Sequence, residues 1–197
     1  MEKKKKRVQN NNRAQRLPVF GSLAGLCFAG ILTAMSIVLG KFLQIPNPFQ
    51  EFIRISFENL PIFIAGFSLG PIAAALVGVT ADLLGCLLYG YTINPIITLG
   101  AAAVGLSSGI LSNYVFKKPL ILKVILSVTI SHTIGSVLIK SYGLAKWYLS
   151  KYELGYFEFI AWRGLNYLLV SVAECVIIYL MLRNRAFKNQ IERMCKK

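Results

Sequence analysis

Long apolar runs separated by short polar interruptions dominate the chain, and their lengths predict its elements. Crossing a hydrocarbon core about 30 Å thick takes roughly 20 helical residues at about 1.5 Å each. By that measure residues 19–43 predict a first span. Residues 60–69 form a shorter apolar run, an abbreviated second span beginning near Phe57 and ended by Pro71. Residues 72–88, 96–116, 120–139 and 159–182 predict four more. Pro71, Pro95 and Pro119 stand where helices begin, a position that suits a fixed φ and a missing amide hydrogen. The expected fold class is an all-α membrane protein: six transmembrane helices over 19–183, with basic cytoplasmic tails at 1–18 and 184–197.

Composition supports lipid as the solvent. With 55% hydrophobic residues and a mean hydropathy of +0.59, the chain carries more apolar surface than one soluble core of this size hides. The net charge of +14 would suit a nucleic-acid partner, but the basic residues flank apolar spans instead of forming one face of a soluble domain, so none is expected. The run from Lys3 to Arg7 reads as a tail attracted to anionic head groups. Lys3–Arg7, Arg13, Arg16, Lys117, Lys118 and the cations from Arg183 onward fall on one side; only Lys41, Arg54, Lys140, Lys146 and Lys151 fall on the other. The positive-inside rule then puts both termini in the cytoplasm and turns the connections carrying Arg54, Tyr91 and Trp147 outward. Cys27, Cys86, Cys175 and Cys195 lack the close spacing of a metal site and read as small apolar fillers.

Small residues recur every fourth position: Gly21, Gly25 and Ala29 in the first span, Gly70, Ala74 and Gly78 in the third, Ala101, Gly105 and Gly109 in the fourth. Helices in lipid associate through such close-approach surfaces, either within one chain or between subunits. Ionisable residues inside a span cost about 2.5–3.5 kcal/mol on insertion scales, so each needs a partner, a wet cavity or a task. Asp82 is placed either to pair with His132, Lys123 or Arg163 or to contact a ligand. Arg163 either grips a carboxylate through two parallel hydrogen bonds or snorkels to the head groups, and Arg54 has the same choice. His132 reads more readily as a structural hydrogen-bonding residue than as a proton relay, Glu174 has the same two readings, and Asp82, His132 and Glu174 share no obvious depth. No metal motif, nucleophile elbow or phosphate loop is present, so the chain is not expected to be an enzyme or to need a cofactor.

The stretch from Arg54 through Glu58, Asn59, Leu60 and Pro61 to Gly70 and Pro71 resembles the second-helix region of substrate-binding S components of energy-coupling factor (ECF) vitamin transporters. The segments from Gly78 through Asp82 to Gly85, and from Tyr91 through Asn94 and Pro95 to Ala101, follow in the order of the folate branch. The resemblance implies an S-component-like bundle, in a prokaryotic plasma membrane, that holds its vitamin at the extracellular end under the connection between the first two helices. It implies a membrane coupling (T) subunit and two cytoplasmic ATPases as partners, with ATP consumed by the latter. The family's Ala-x-x-x-Ala motif for meeting the coupling subunit is replaced by Ala29/Thr33 and Gly30/Ala34.

For folate, Phe57, Tyr91 and Trp147 are the candidate ring-stacking residues, Arg54 and Arg163 the partners of the glutamate carboxylates, and Asn94 and Thr98 the readers of ring edges. Riboflavin, pantothenate or a queuosine precursor would suit the same fold. A membrane enzyme acting on lipid substrates and a ligand-free assembly factor are the readings from other classes.

Overall fold

Close contact between two glycine-bearing helices organises the bundle. The computed structural model describes residues 23–42, 44–46, 54–116, 119–145 and 155–195, so Trp147 and the tail at 1–18 lie outside the described residues. In chain order the elements are α1 (Leu23–Lys41), the two-residue strands β1 (Ile45–Pro46) and β2 (Arg54–Ile55), α2 (Leu60–Ser68), α3 (Pro71–Tyr89) and α4 (Pro95–Ile110). Helix α4 runs on as a π-helical turn, Leu111–Val115. Then come α5 (Leu120–Ser131), continued by a π-helical segment, His132–Ile139, α6 (Tyr156–Arg183) and α7 (Arg185–Cys195).

Pro71 and Pro95 occupy the first turns of α3 and α4, as their missing amide hydrogens predict. Asn94 caps α4 by accepting the Ile96 amide at 3.0 Å. Gly90 ends α3 with φ 66°, a left-handed conformation that glycine adopts without a Cβ clash.

Helix α3 lies along α4 with the expected small residues face to face. A Cβ on Gly78 would stand 2.6 Å from the Ala101 carbonyl oxygen, and Cβ atoms on Gly105 and Gly109 would collide with the backbones of Ala74 and Pro71. These rows therefore close an intramolecular joint. Gly135 of the π-helical segment presses in the same way on Gly100 and Val104 of α4.

Among the described residues five helices are long and apolar enough to cross a membrane: Leu23–Lys41, Pro71–Tyr89, Pro95–Val115, Leu120–Ala145 and Tyr156–Arg183. The second of the six expected spans is a helix of 9 residues, about 14 Å long, too short to cross alone. Every residue from Leu60 to Gly66 is buried, so protein, not lipid, surrounds it. The long helices turn apolar side chains outward, among them Leu26, Leu76, Leu99, Leu122 and Leu168, while Ser108, Ser127, Ser131 and Ser136 are buried. Within the stretch expected as a basic tail, Arg185–Cys195 forms a seventh helix, which the apolar-run criterion had no means of detecting.

Candidate functional site

At the end of the bundle that carries the β1–β2 pair, five elements converge on a cavity of about 30 Å³. Ser36, Gly40 and Lys41 enter from α1, Glu58 from the turn before α2, Asp82 from α3 and Lys140 from the last turns of the fifth span. Ser36 Oγ donates to the Glu58 carbonyl at 2.6 Å, and a Cβ on Gly40 would stand 2.9 Å from Glu58 Cβ, so α1 fixes the turn in which Glu58 sits. Lys140 Nζ donates to Glu58 Oε1 at 2.6 Å, joining residues 82 apart in sequence. The Lys140 ammonium is the main reason the Glu58 carboxyl is held below its ordinary value; Lys41 and Arg163 act in the same direction against the burial that opposes them.

Aromatic rings line the rim. Lys41 Nζ lies 4.4 Å from the Tyr91 ring centroid and 5.8 Å from that of Tyr89. Tyr89 and Tyr91 stack at 6.2 Å, and Phe42 meets Tyr89 edge-on at 5.7 Å. Among the described residues the buried Tyr89 hydroxyl has no hydrogen-bond partner. Asp82 accepts from Thr98 Oγ1 at 2.6 Å, so its expected pairing with His132, Lys123 or Arg163 gives way to a hydrogen bond between adjacent helices.

Deeper in the bundle a second polar group surrounds Ser136. Arg163, 9% exposed, points inward instead of snorkelling. Its Nη2 donates to the Ser136 carbonyl at 3.1 Å, and its guanidinium lies over the Phe159 and Tyr167 rings at 5.6 and 5.4 Å. Among the described residues its Nε has no hydrogen-bond partner. Ser136 Oγ accepts from Asn59 Nδ2 at 3.2 Å and contacts His132 Nδ1 at 3.3 Å. His132 Nε2 meets Glu174 Oε2 at 2.5 Å, with both side chains buried. The expectation that His132 and Glu174 lie apart in depth is thus corrected. The two residues stand on different helices of the bundle, and the depth at which those helices pack against one another is not encoded in the hydropathy along the chain.

The expected site residues divide accordingly. Tyr91 and Thr98 border the charged cavity, and Arg163 approaches from below it. Asn94 uses its side chain locally, capping α4 and donating from Nδ2 to the Gly143 carbonyl at 2.9 Å. Phe57 packs against the buried core. Arg54 is in β2, paired with Pro46, and its side chain, like the whole of Trp147, lies outside what is described. Lys41, Glu58 and Lys140 were missed. Their common signal is position: each is a charged residue at or beside the end of an apolar run.

On α1, Ala29 packs toward the core, and Thr33 donates to its carbonyl and contacts Thr80 at 3.3 Å. Gly30 and Ala34 are exposed, and a Cβ on Gly30 would meet nothing within 4 Å.

A polytopic helical bundle with a charged, ring-rimmed cavity at one end defines a membrane protein of the solute-handling kind. Residues 25–186 match the family of ECF transporter substrate-specific components, and the chain belongs to that family. It is a multi-pass membrane protein, and its family is the substrate-specific component of a transporter. A 64-residue segment is 33% identical to the folate transporter FolT of Clostridium novyi (strain NT), covering 32% of this chain and 36% of that relative. A crystal structure of FolT bound with folic acid shares the fold, with a TM-score of 0.64 at 23% identity over 84% of this chain and 97% of that one.

Proposed function

We propose that the chain captures folate, or a closely related pterin-bearing acid, at the β1–β2 end and presents it for uptake. The observation that carries this reading is the charge balance there: Lys41, Lys140 and Arg163 face Glu58 and Asp82, leaving one positive charge in excess beneath the Tyr89–Tyr91 stack. A glutamate tail with two carboxylates favours that excess, and flat heteroaromatic rings favour the rim. A cavity of about 30 Å³ admits a charged tip and ordered water, whereas a whole solute needs several hundred Å³. The solute's bulk therefore lies toward the rim. Arg163 and Arg54 pair with the carboxylates, and Tyr91, Phe57 and Trp147 contact the rings. Asn94 and Thr98 shape the wall through the bonds they already make. The folate named in the relatives' descriptions supports this choice of solute.

In this reading the β1–β2 end is extracellular and both termini are cytoplasmic, in a prokaryotic plasma membrane, as the distribution of Lys and Arg supports. ATP is hydrolysed by two ATPases joined through a membrane coupling subunit. Gly30 and Ala34, open on the outside of α1, form the close-approach surface for that subunit, while Ala29 and Thr33 support α1 from within.

Calorimetric titration of the purified protein with folate, riboflavin and pantothenate tests the proposal. Folate should bind, and the double variant Arg54→Ala/Arg163→Ala should bind it at least about 100-fold more weakly, since each charge-assisted hydrogen bond is worth roughly 1.5–3 kcal/mol. Unchanged folate affinity in that variant refutes the carboxylate assignment, and tighter binding of another vitamin refutes the solute.

A further inference from the structure

A buried polar chain links the fifth and sixth spans below the charged cavity, and of its members the solute site uses Arg163 alone. Glu174, His132, Ser136 and Asn59 are each at most 2% exposed. Glu174 Oε2 meets His132 Nε2 at 2.5 Å, and His132 Nδ1 lies 3.3 Å from Ser136 Oγ. Ser136 is the joint of the chain: its hydroxyl accepts from Asn59 Nδ2, and its carbonyl accepts from Arg163 Nη2. Asn59 directly follows Glu58 of the cavity, so one residue of the fifth span ties down both the Glu58 turn and the Arg163 guanidinium.

His132 also reaches Arg163 from a second direction. Its ring lies against that of Tyr167, with centroids 5.1 Å apart, and edge-on to Phe63 of α2 at 4.9 Å. Tyr167 in turn backs the guanidinium, with its ring centroid 5.4 Å from Cζ and its hydroxyl 3.5 Å from Nη2. Arg163, Tyr167 and Glu174 recur at helical spacing and share one face of α6.

Packing does not require this chemistry. A buried ionic pair contributes little to stability beyond what apolar side chains of the same volume would, and ionisable groups inside a span are costly. Arginine brings a long side chain with much rotamer freedom, and its guanidinium grips a carboxylate through two parallel bonds only when its plane is fixed. Arg163 Nε, buried and without a partner among the described residues, is the donor left for such a ligand.

We infer that Glu174 and His132 are positioning residues for solute capture: through Ser136 and Tyr167 they fix the plane of the Arg163 guanidinium, and with it the affinity for an acidic solute. The inference rests on the reading of Arg163 as a carboxylate partner.

Folate titration of the full chain in detergent, paired with thermal unfolding, separates positioning from stability. His132→Leu/Glu174→Met removes both polar groups and roughly keeps their volume. Its unfolding midpoint should return close to that of the wild type, while folate binds roughly tenfold more weakly, the lower end of what one charge-assisted hydrogen bond is worth. In an Arg163→Ala background, itself expected to bind about tenfold more weakly, the same pair of changes should cost no further affinity. Wild-type affinity in the stable double variant overturns the inference, as does a comparable further loss in the absence of Arg163. If Arg163→Ala alone binds folate as the wild type does, the carboxylate reading itself fails and the inference fails with it. Ser136→Ala removes the hydroxyl of the joint and keeps the carbonyl; it should weaken folate binding about threefold, and only when Arg163 is present. That variant decides the matter if the midpoint of the double variant is not restored: an unchanged affinity, or a loss that persists without Arg163, overturns the inference.

Discussion

Neutralising Glu58 and neutralising Lys140 should affect stability in the same direction and solute affinity in opposite directions. The pair is held at 2.6 Å, with the Lys140 side chain 6% and the Glu58 side chain 32% exposed. Breaking a fully buried pair costs about 3–5 kcal/mol, and solvent reaching Glu58 reduces that to about 2 kcal/mol for Glu58→Gln. That variant leaves Lys41, Lys140 and Arg163 facing Asp82 alone. Lys140→Met leaves Lys41 and Arg163 against Glu58 and Asp82, a balanced set, and should cost about 1 kcal/mol. For an anionic solute the order reverses. One unit charge about 6 Å away is worth about 3 kcal/mol at an effective dielectric constant of 20, and partial exposure brings this to between ten- and a hundred-fold in affinity. Glu58→Gln should therefore bind folate more tightly by about that factor, and Lys140→Met more weakly. Thermal unfolding in detergent followed by helicity, together with folate titration, reads both quantities. If both variants lose affinity equally, Glu58 contacts the solute as an acceptor and the charge-balance reasoning fails. If the double variant's stability loss equals the sum of the single losses, the ion pair contributes nothing.

The same carboxylate sets an acid limit. Because Lys140 holds Glu58 below its ordinary value of 4.5, the stabilisation is complete above that pH and is lost only as pH falls through the lowered value. The unfolding midpoint of Glu58→Gln should accordingly lack the acid-side decline of the wild type below about pH 4.5, and a matching decline in both would count against the assignment. A Cβ at Gly105 would collide with the Ala74 backbone, whereas one at Gly30 meets open space. Gly105→Ala should cost about 1–3 kcal/mol of stability and Gly30→Ala less than about 0.5, compared by thermal unfolding. His132→Ala strands the buried Glu174 carboxyl and should cost about 3–5 kcal/mol, with His132→Leu/Glu174→Met recovering most of it; no recovery in the double variant would mean that the pair is not a unit.

Much of the architecture was legible because the bilayer imposes a single ruler. The first, third, fourth and last spans were placed to within a few residues, since lipid thickness fixes helix length and proline marks helix starts. The brevity of α2 was legible for the same reason. The fifth span is longer than its apolar run, reaching Ala145, because Lys140 and Ser141 are buried against protein and so escape the cost that ended the count at Ile139.

What hydropathy along the chain determined by itself was which segments lie in lipid and that rows of small residues join them. Tertiary structure decided which rows meet: Gly78, Gly105 and Gly109 close the α3–α4 joint, while Gly30 stays open. It also decided the chemistry. Glu58 with Lys140, and His132 with Glu174, are pairs separated by 82 and 42 residues, and no local period encodes them. A charge inside a membrane must find a counterpart wherever the bundle brings one, so its presence can be read from sequence but its partner depends on helix packing.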